Sequence, residues 1–357
     1  VDNNGVIKGI SDGKTGVKIT DTTTNIETVA QVIVGERNSN IYKISAGVNH
    51  TIALKNDGTV WSWGDNTYGQ LGDGGVLASE TENPIQVSGV NGSKYLSDVV
   101  DIASGTYFSI ALLKNGNVVA WGLNNDGQLG NIGEISRKPV FVMDYNGNKL
   151  SGIVGISASR NHAIAVRADG TVFTWGSNDY GQLGNNTKTS SAYAIQVLDS
   201  TGNDYLKDVV QVSAGAAYVS VVKNDGTVWS WGAGASAQMG DGARTQRSLP
   251  VQAKNVTDVK KVATGCYITL VLKNDGTVWA WGLNRYGQLG IGVSSTSSSN
   301  ANYVRTTAVQ VKLNSTDYLT DVVDIGTAYE SSFAVTSDGT AYAWGLNNYN
   351  QLGIITS

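Results

Sequence analysis

One stretch of this chain is written six times, and that repetition restricts the fold more than any other feature. Each copy begins with small and apolar residues, passes a turn of the Asp-Gly kind, reaches Trp-Gly and closes on a Gly-Gln-Leu-Gly sequence or a variant of it. The first reads SAGVNHTIALKNDGTVWSWGDNTYGQLGDG from Ser45, and others start at Ala103, Ser157, Ser213, Ala263 and Ile325. The tryptophan before the glycine falls at Trp63, Trp121, Trp175, Trp231, Trp281 and Trp344. A period of this length marks an array of supersecondary units, none of which can bury its own apolar surface alone.

Within each unit the pattern predicts four β-strands. VVDIASG and HTIAL are consecutive strands, and NDG or ADG is the tight turn that follows, where positive φ is needed. TVWSWG is a third strand with side chains alternating between two faces. A shorter fourth strand follows at 84–87, 139–142, 194–197, 250–253 and 308–311. A sheet of this size leaves both faces uncovered. Radial stacking covers them and leaves only short edges, so the expected fold is all-β, a propeller of four-stranded blades. In it the tryptophans wedge between neighbouring sheets, and the glycines allow positive φ and close approach of chains.

These residues resemble the regulator of chromosome condensation repeat family, with its Ala-Gly…His-Ser-Leu-Ala-Leu strand pair, Trp-Gly and Gly-Gln-Leu-Gly. The resemblance covers roughly residues 40–357 and is specific for fold. One fold hosts many activities, so it is less informative about function. It implies seven blades, whereas six repeat cores are present; six blades are expected, with an unfinished seventh as the alternative.

Residues 1–35 lack Trp-Gly and Gln-Leu-Gly. They resemble the end of a bacterial Ig-like domain of group 2, through Val1-Asp2, Asn4-Gly5-Val6, SDGKTGVKI and AQVIV. A second reading has ETVAQVIV (27–34) close the ring as the missing fourth strand of the last blade, which removes an exposed edge. The expected organisation is therefore an Ig-like tail or ring-closing segment over 1–35 and a six-repeat propeller over 36–357. The start carries no basic residue followed by an apolar stretch, so it is not a signal peptide, and a mature form or an excised fragment is expected.

Charge excludes some functions. With 25 basic and 29 acidic residues the net charge is −4, which provides no electrostatic footprint for nucleic acid. No run of about 18 apolar residues is present to insert in a membrane. The single cysteine, Cys266, rules out an internal disulfide or a Cys-cluster zinc site; a buried, inert thiol in a strand region is expected. His50 and His162 share one repeat position with Phe108, Tyr218, Ile268 and Ser331, which points to packing or channel lining rather than a metal site. Asp57, Asp169, Asp225, Asp275 and Asp338 each precede a turn glycine and read as turn formers. The Gly-rich motif lacks the lysine of a phosphate loop and the closing Glu of an EF-hand. No catalytic residue, metal ligand or cofactor site is expected.

Function should then lie in what varies between copies. Long arms join most blades and place Tyr95, Lys149, Tyr205 and Tyr318 at related positions, on one rim of the disc. Tyr68, Tyr180, Arg285 and Tyr286 occupy the changing positions inside the Gly-Gln-Leu-Gly region. Tyr303 and Arg305 belong to the Ser-rich insertion at 292–307, which reads as a mobile linker. Aromatic residues on a rigid rim suit a protein or glycan surface of about 800 Å² per partner.

The expectation is a non-enzymatic binding or scaffold module of a secreted or cell-surface bacterial protein, with a protein or cell-surface glycan as partner. The family resemblance also implies a regulator that exchanges nucleotide on a small GTPase, or an inhibitor of an extracellular enzyme. A carbohydrate hydrolase or lyase is disfavoured, because no acidic cluster departs from the repeat. An N-terminal segment lacking its Ig-like partner strands could also add to a neighbour's sheet and build a filament.

Overall fold

The turn chemistry read from the repeat is what the chain uses. In the computed structural model, residues 13–21, 26–34, 41–75, 80–297, 300 and 302–353 are described. They contain strands and turns only. In five blades the Asp before the turn glycine accepts from a Thr two residues on, as Asp57 does from the backbone N–H and hydroxyl of Thr59 at 2.9 and 2.6 Å. Asp169, Asp225, Asp275 and Asp338 do the same with Thr171, Thr227, Thr277 and Thr340 or Thr336. The Thr hydroxyl bond is the main reason the carboxyl of Asp57 lies below its ordinary range. These aspartates are turn formers, as expected.

Six of the seven sheets among the described residues are blades built by antiparallel pairing from the inside outwards. Blade one comprises Ile41–Ala46, His50–Lys55, Val60–Gly64 and Thr81–Gln86. Blade two begins at Val99–Ser104, blade three at Ile153–Ser159, blade four at Val209–Ala214, blade five at Val259–Thr264 and blade six at Val322–Ala328. Blades one to five have four strands, and blade six has three among the described residues. The outer strands Thr81–Gln86, Ser191–Gln196, Arg247–Gln252 and Val304–Gln310 begin earlier than their apolar ends suggest. Val304–Gln310 therefore claims part of the stretch read as a linker, and Arg305 pairs with Gly282.

The conserved-looking tail of each repeat is a self-contained turn. The side-chain oxygen of Asn66 accepts from the N–H of Leu71 at 3.1 Å, and that of Gln70 accepts from Tyr68 N–H at 2.8 Å. The Gln contact recurs in all six copies. Folded this way, the turn points the backbone carbonyl of its Gln at the next blade. The indole N–H of Trp121 donates to the Gln70 carbonyl at 2.9 Å, and Trp175, Trp231, Trp281 and Trp344 repeat this with Gln128, Gln182, Gln238 and Gln288 at 2.8–2.9 Å. The last glycine of the motif lies flat against the same indole; a Cβ on Gly184, where φ is +65°, would stand 2.8 Å from Trp231 Nε1.

Each junction between consecutive blades then becomes an apolar core. Ile52, Leu54 and Val60 of blade one meet Val99, Ile102 and Trp121 of blade two, and the pattern continues through five junctions. Trp121, Trp175, Trp231 and Trp281 are fully buried there, so the wedge expected from the sequence is observed. Buried area of this kind, worth about 25 cal/mol per Å², is what single blades cannot supply for themselves.

The ring-closing strand is not as expected. Ile26–Val34 pairs with Gly13–Asp21 along its whole length and not with Ala341–Gly345 of blade six. Pairing two strands separated by only four residues in sequence costs far less chain entropy than joining the two ends of the propeller, so the local partner wins the strand. The Ig-like motif residues at 1–12 lie outside the described residues.

The motif glycine offers a paired test. Gly184→Ala should lose about 1–2 kcal/mol from the left-handed backbone and a further ~1–3 kcal/mol from the clash with Trp231. At Gly353, φ is +68° with nothing among the described residues within 4 Å of a Cβ, so in the monomer Gly353→Ala should show only the backbone cost. Chemical denaturation of both variants measures the difference.

Candidate functional site

Antiparallel order sorts the connections onto two faces. The inner strand of a blade runs to a short turn, the second strand returns to the Asp-Gly turn, and the third strand runs back again. The inner turns and the Gly-Gln-Leu-Gly connections therefore share one face, while the Asp-Gly turns and the arms share the other.

On the arm face, Tyr95, Lys149, Tyr205 and Tyr318 occupy one equivalent position. Each forms the closing bridge of its arm, opposite Ser88, Met143, Leu198 and Lys312. The neighbouring Leu96, Leu150, Leu206 and Leu319 enter the interblade cores and cap the blades, whereas the three tyrosines stay 42–48% exposed. Lys149 holds its ammonium 3.7 Å from the Phe141 ring. Blades four and five are joined without such an arm, so the set covers part of the rim only.

The opposite face carries a denser aromatic set. Tyr68 packs on Tyr107 at 5.0 Å between ring centres, and the Arg285 guanidinium lies 5.2 Å from the Tyr286 ring. Tyr180 and Tyr349 are exposed at 48% and 88%. Tyr303 is half-buried; its carbonyl accepts from Asn284 N–H, and Arg305 donates to Asn302 Oδ1 at 2.8 Å, so both serve mainly to hold the connection.

The inner turns supply residues that repeat-by-repeat reading passed over. Four of them carry a glycine, Gly47, Gly105, Gly215 or Gly265, where any Cβ would clash; on Gly105 it would sit 1.9 Å from Phe108. Blades three and six have Ser159 and Ala328 there instead. Their inner strands run one residue further, pairing Ser159 with His162 and Ala328 with Ser331. The turn shortens, and Arg160 and Tyr329 take left-handed conformations with φ of 43° and 53°. Such a conformation costs a non-glycine residue of order 1 kcal/mol. Both side chains are exposed at the rim of the central channel. The missing glycine was the signal in the sequence.

The channel, about 1050 Å³, is lined by all six inner strands. Its polar groups stitch those strands together. Lys43 pairs with Asp101 at 2.5 Å, Lys261 pairs with Asp324, Gln211 accepts from Val262 N–H at 2.8 Å, and Ser213 meets Thr264 at 2.7 Å. Among the described residues no group of three or more His, Cys, Asp or Glu could hold a metal. Cys266 lies in the turn between Val259–Thr264 and Ile268–Lys273 rather than in a strand; it is half-buried, and burial pushes its thiol up to about 11. A thiol shifted in this direction stays protonated at neutral pH.

His50 and His162 pack between blades and do not line the channel. His50 Nε2 meets the Ser109 hydroxyl at 2.9 Å, while both ring nitrogens of His162 are buried beside the Tyr218 backbone with no well-formed hydrogen bond among the described residues. Burial lowers both to about 4.

The sequence pattern of the RCC1-like domain matches residues 132–357, and that of the regulator of chromosome condensation (RCC1) repeat matches 41–70, 57–112 and 99–128. The probable E3 ubiquitin-protein ligase HERC6 of Homo sapiens is 34% identical over 61% of this chain and 20% of its own length. The E3 ubiquitin-protein ligase HERC2 of Homo sapiens is 32% identical over 66% of this chain and 5% of its own. The chain thus spans about a fifth or less of these relatives. Human WBSCR16 superposes with a TM-score of 0.74 at 21% identity, covering 92% of this chain and 81% of that one. Prp20p of Saccharomyces cerevisiae, described with its binding to Gsp1p and histones, superposes at 0.69 and 24% identity, covering 88% and 73%.

The histidines make the junctions acid-sensitive. An unfolded His titrates near 6.5, so between that pH and about 4 the unfolded chain binds protons that the folded chain refuses. Their contribution should be complete above pH ~6.5 and lost progressively towards pH ~4, by up to roughly 3 kcal/mol for each residue. Replacing them with the residues of sister blades, His50→Phe with His162→Tyr, should flatten the melting temperature over that interval.

Proposed function

Because the chain belongs to the RCC1-like domain family, we propose that it is a non-enzymatic protein-binding module that contacts its partner through the face carrying the inner turns. The observation that carries this reading is the pair Arg160 and Tyr329. Two turns leave the repeat pattern, accept a strained backbone and present an arginine and a tyrosine at the channel rim. Their backbone carbonyls accept from Thr106 and Cys266 N–H of the preceding blade at 2.8 and 2.9 Å, while their side chains stay exposed. Tyr68, Tyr180, Arg285, Tyr286 and Tyr349 extend the same surface, and Tyr and Arg are the residue types that most often dominate interface energetics.

Several groups that could do chemistry are already committed to structure. The turn aspartates hold Thr residues, the histidines are sealed between blades, and the Cys266 thiol stays protonated. A binding role therefore fits this propeller better than catalysis. Partners of the regulator kind find support in Prp20p, whose description names Gsp1p and histones. A secreted or surface setting draws its support from the Ig-like resemblance of residues 1–35.

A second reading places the partner, a protein or a glycan, on the arm face at Tyr95, Tyr205 and Tyr318. Alanine scanning against an isolated partner separates the two. Arg160→Ala with Tyr329→Ala should weaken binding at least about 10-fold with the melting temperature unchanged, while Tyr95→Ala, Tyr205→Ala and Tyr318→Ala should leave it intact. The opposite result assigns the site to the arms.

A further inference from the structure

Five of the six repeats satisfy their Trp and Gln across a junction, and the place where the pattern stops is informative. Trp63 of blade one has no acceptor among the described residues, and the Gln351 carbonyl of blade six has no donor. The uncovered surfaces on either side match these two groups. Ile41 and Ile44 are 52% and 57% exposed, while their equivalents in the other five blades are all at 7% or less. On blade six, Val335 is 37% exposed and Phe333 and Ala341 are open to solvent in part, where blade one buries Ile52, Leu54 and Val60 to 1% or less. Among the described residues Gly353 has nothing within 4 Å of its Cβ position, where its five equivalents meet a tryptophan.

These two surfaces are not merely apolar. Blade one offers the Trp-bearing half of the recurring junction and blade six offers the Gln-bearing half. We propose that they dock on each other between two copies of this chain, head to tail. The indole of Trp63 then donates to the carbonyl of Gln351 in the next copy. The Thr51 hydroxyl can share that acceptor, as Ser109, Thr269 and Ser332 share theirs at 3.4, 3.0 and 2.9 Å. Because the two surfaces differ, the contact is heterologous, and a copy bound through one half still presents the other. The assembly is open-ended unless its rotation closes. This inference does not use Arg160 or Tyr329, although Tyr349 of the partner-binding face belongs to the same turn as Gln351.

Complementation tests it. Sedimentation velocity up to about 100 µM, which detects dissociation constants of tens of micromolar, should show the chain growing beyond a dimer as concentration rises. Ile44→Asp and Val335→Asp each alter a residue already exposed, so both should fold with near-unchanged melting temperatures. Each alone should be monomeric. An equimolar mixture of the two should form a heterodimer and stop there, since one variant keeps the blade-six surface and the other the blade-one surface. A chain that stays monomeric throughout, including one that closes on itself, overturns the proposal. So does association that survives both substitutions, or a mixture that remains monomeric.

Discussion

The bond from a tryptophan indole N–H to the backbone carbonyl of the preceding blade's Gln is the interaction on which the architecture depends. It is short, 2.8–2.9 Å, and it lies inside an apolar junction, where an unpaired indole or carbonyl would be costly. Its geometry needs three local conditions together. An Asn or Gln side chain must fold the turn, a glycine must let the indole lie against the backbone, and a β-strand must bring the tryptophan to the blade's edge. The repeated motif is the minimum sequence that meets all three, which is why a stretch resembling a ligand loop is consumed by structure.

This economy explains where specificity can reside. Positions tied to a junction tolerate little change, and those that protrude from it are released. His50, Phe108, His162, Tyr218 and Ile268 show that even junction positions vary in chemistry provided they stay buried. The inner turns vary more freely, and in blades three and six the loss of a glycine changes the turn itself. A repeat protein thus gains individuality by small departures at turns while its cores remain alike.

Much of this was legible in the sequence. The all-β class, the number of blades, the Asp turns and the burial of Trp121, Trp175, Trp231 and Trp281 all follow from patterns spanning a few residues. The functional surface was less legible. Tyr95, Lys149, Tyr205 and Tyr318 were visible because arms of similar sequence repeat, yet Arg160 and Tyr329 look ordinary until Ser159 and Ala328 are seen to lengthen their strands. Two sets of candidates that looked alike in the chain also fall on opposite faces, which only the alternation of strand direction reveals.

The sequence alone determined that six sheets form and that each needs a neighbour, because alternation, turn residues and the Trp–Gln pair act over short range. Tertiary structure decided which neighbour each sheet obtains. The strand Ile26–Val34 could serve a hairpin or the last blade, and it serves the hairpin, since chain entropy favours the nearer partner. For the same reason of reach, five junctions close between consecutive blades and the sixth does not, leaving Trp63 and Gln351 with matching chemistry on separate surfaces.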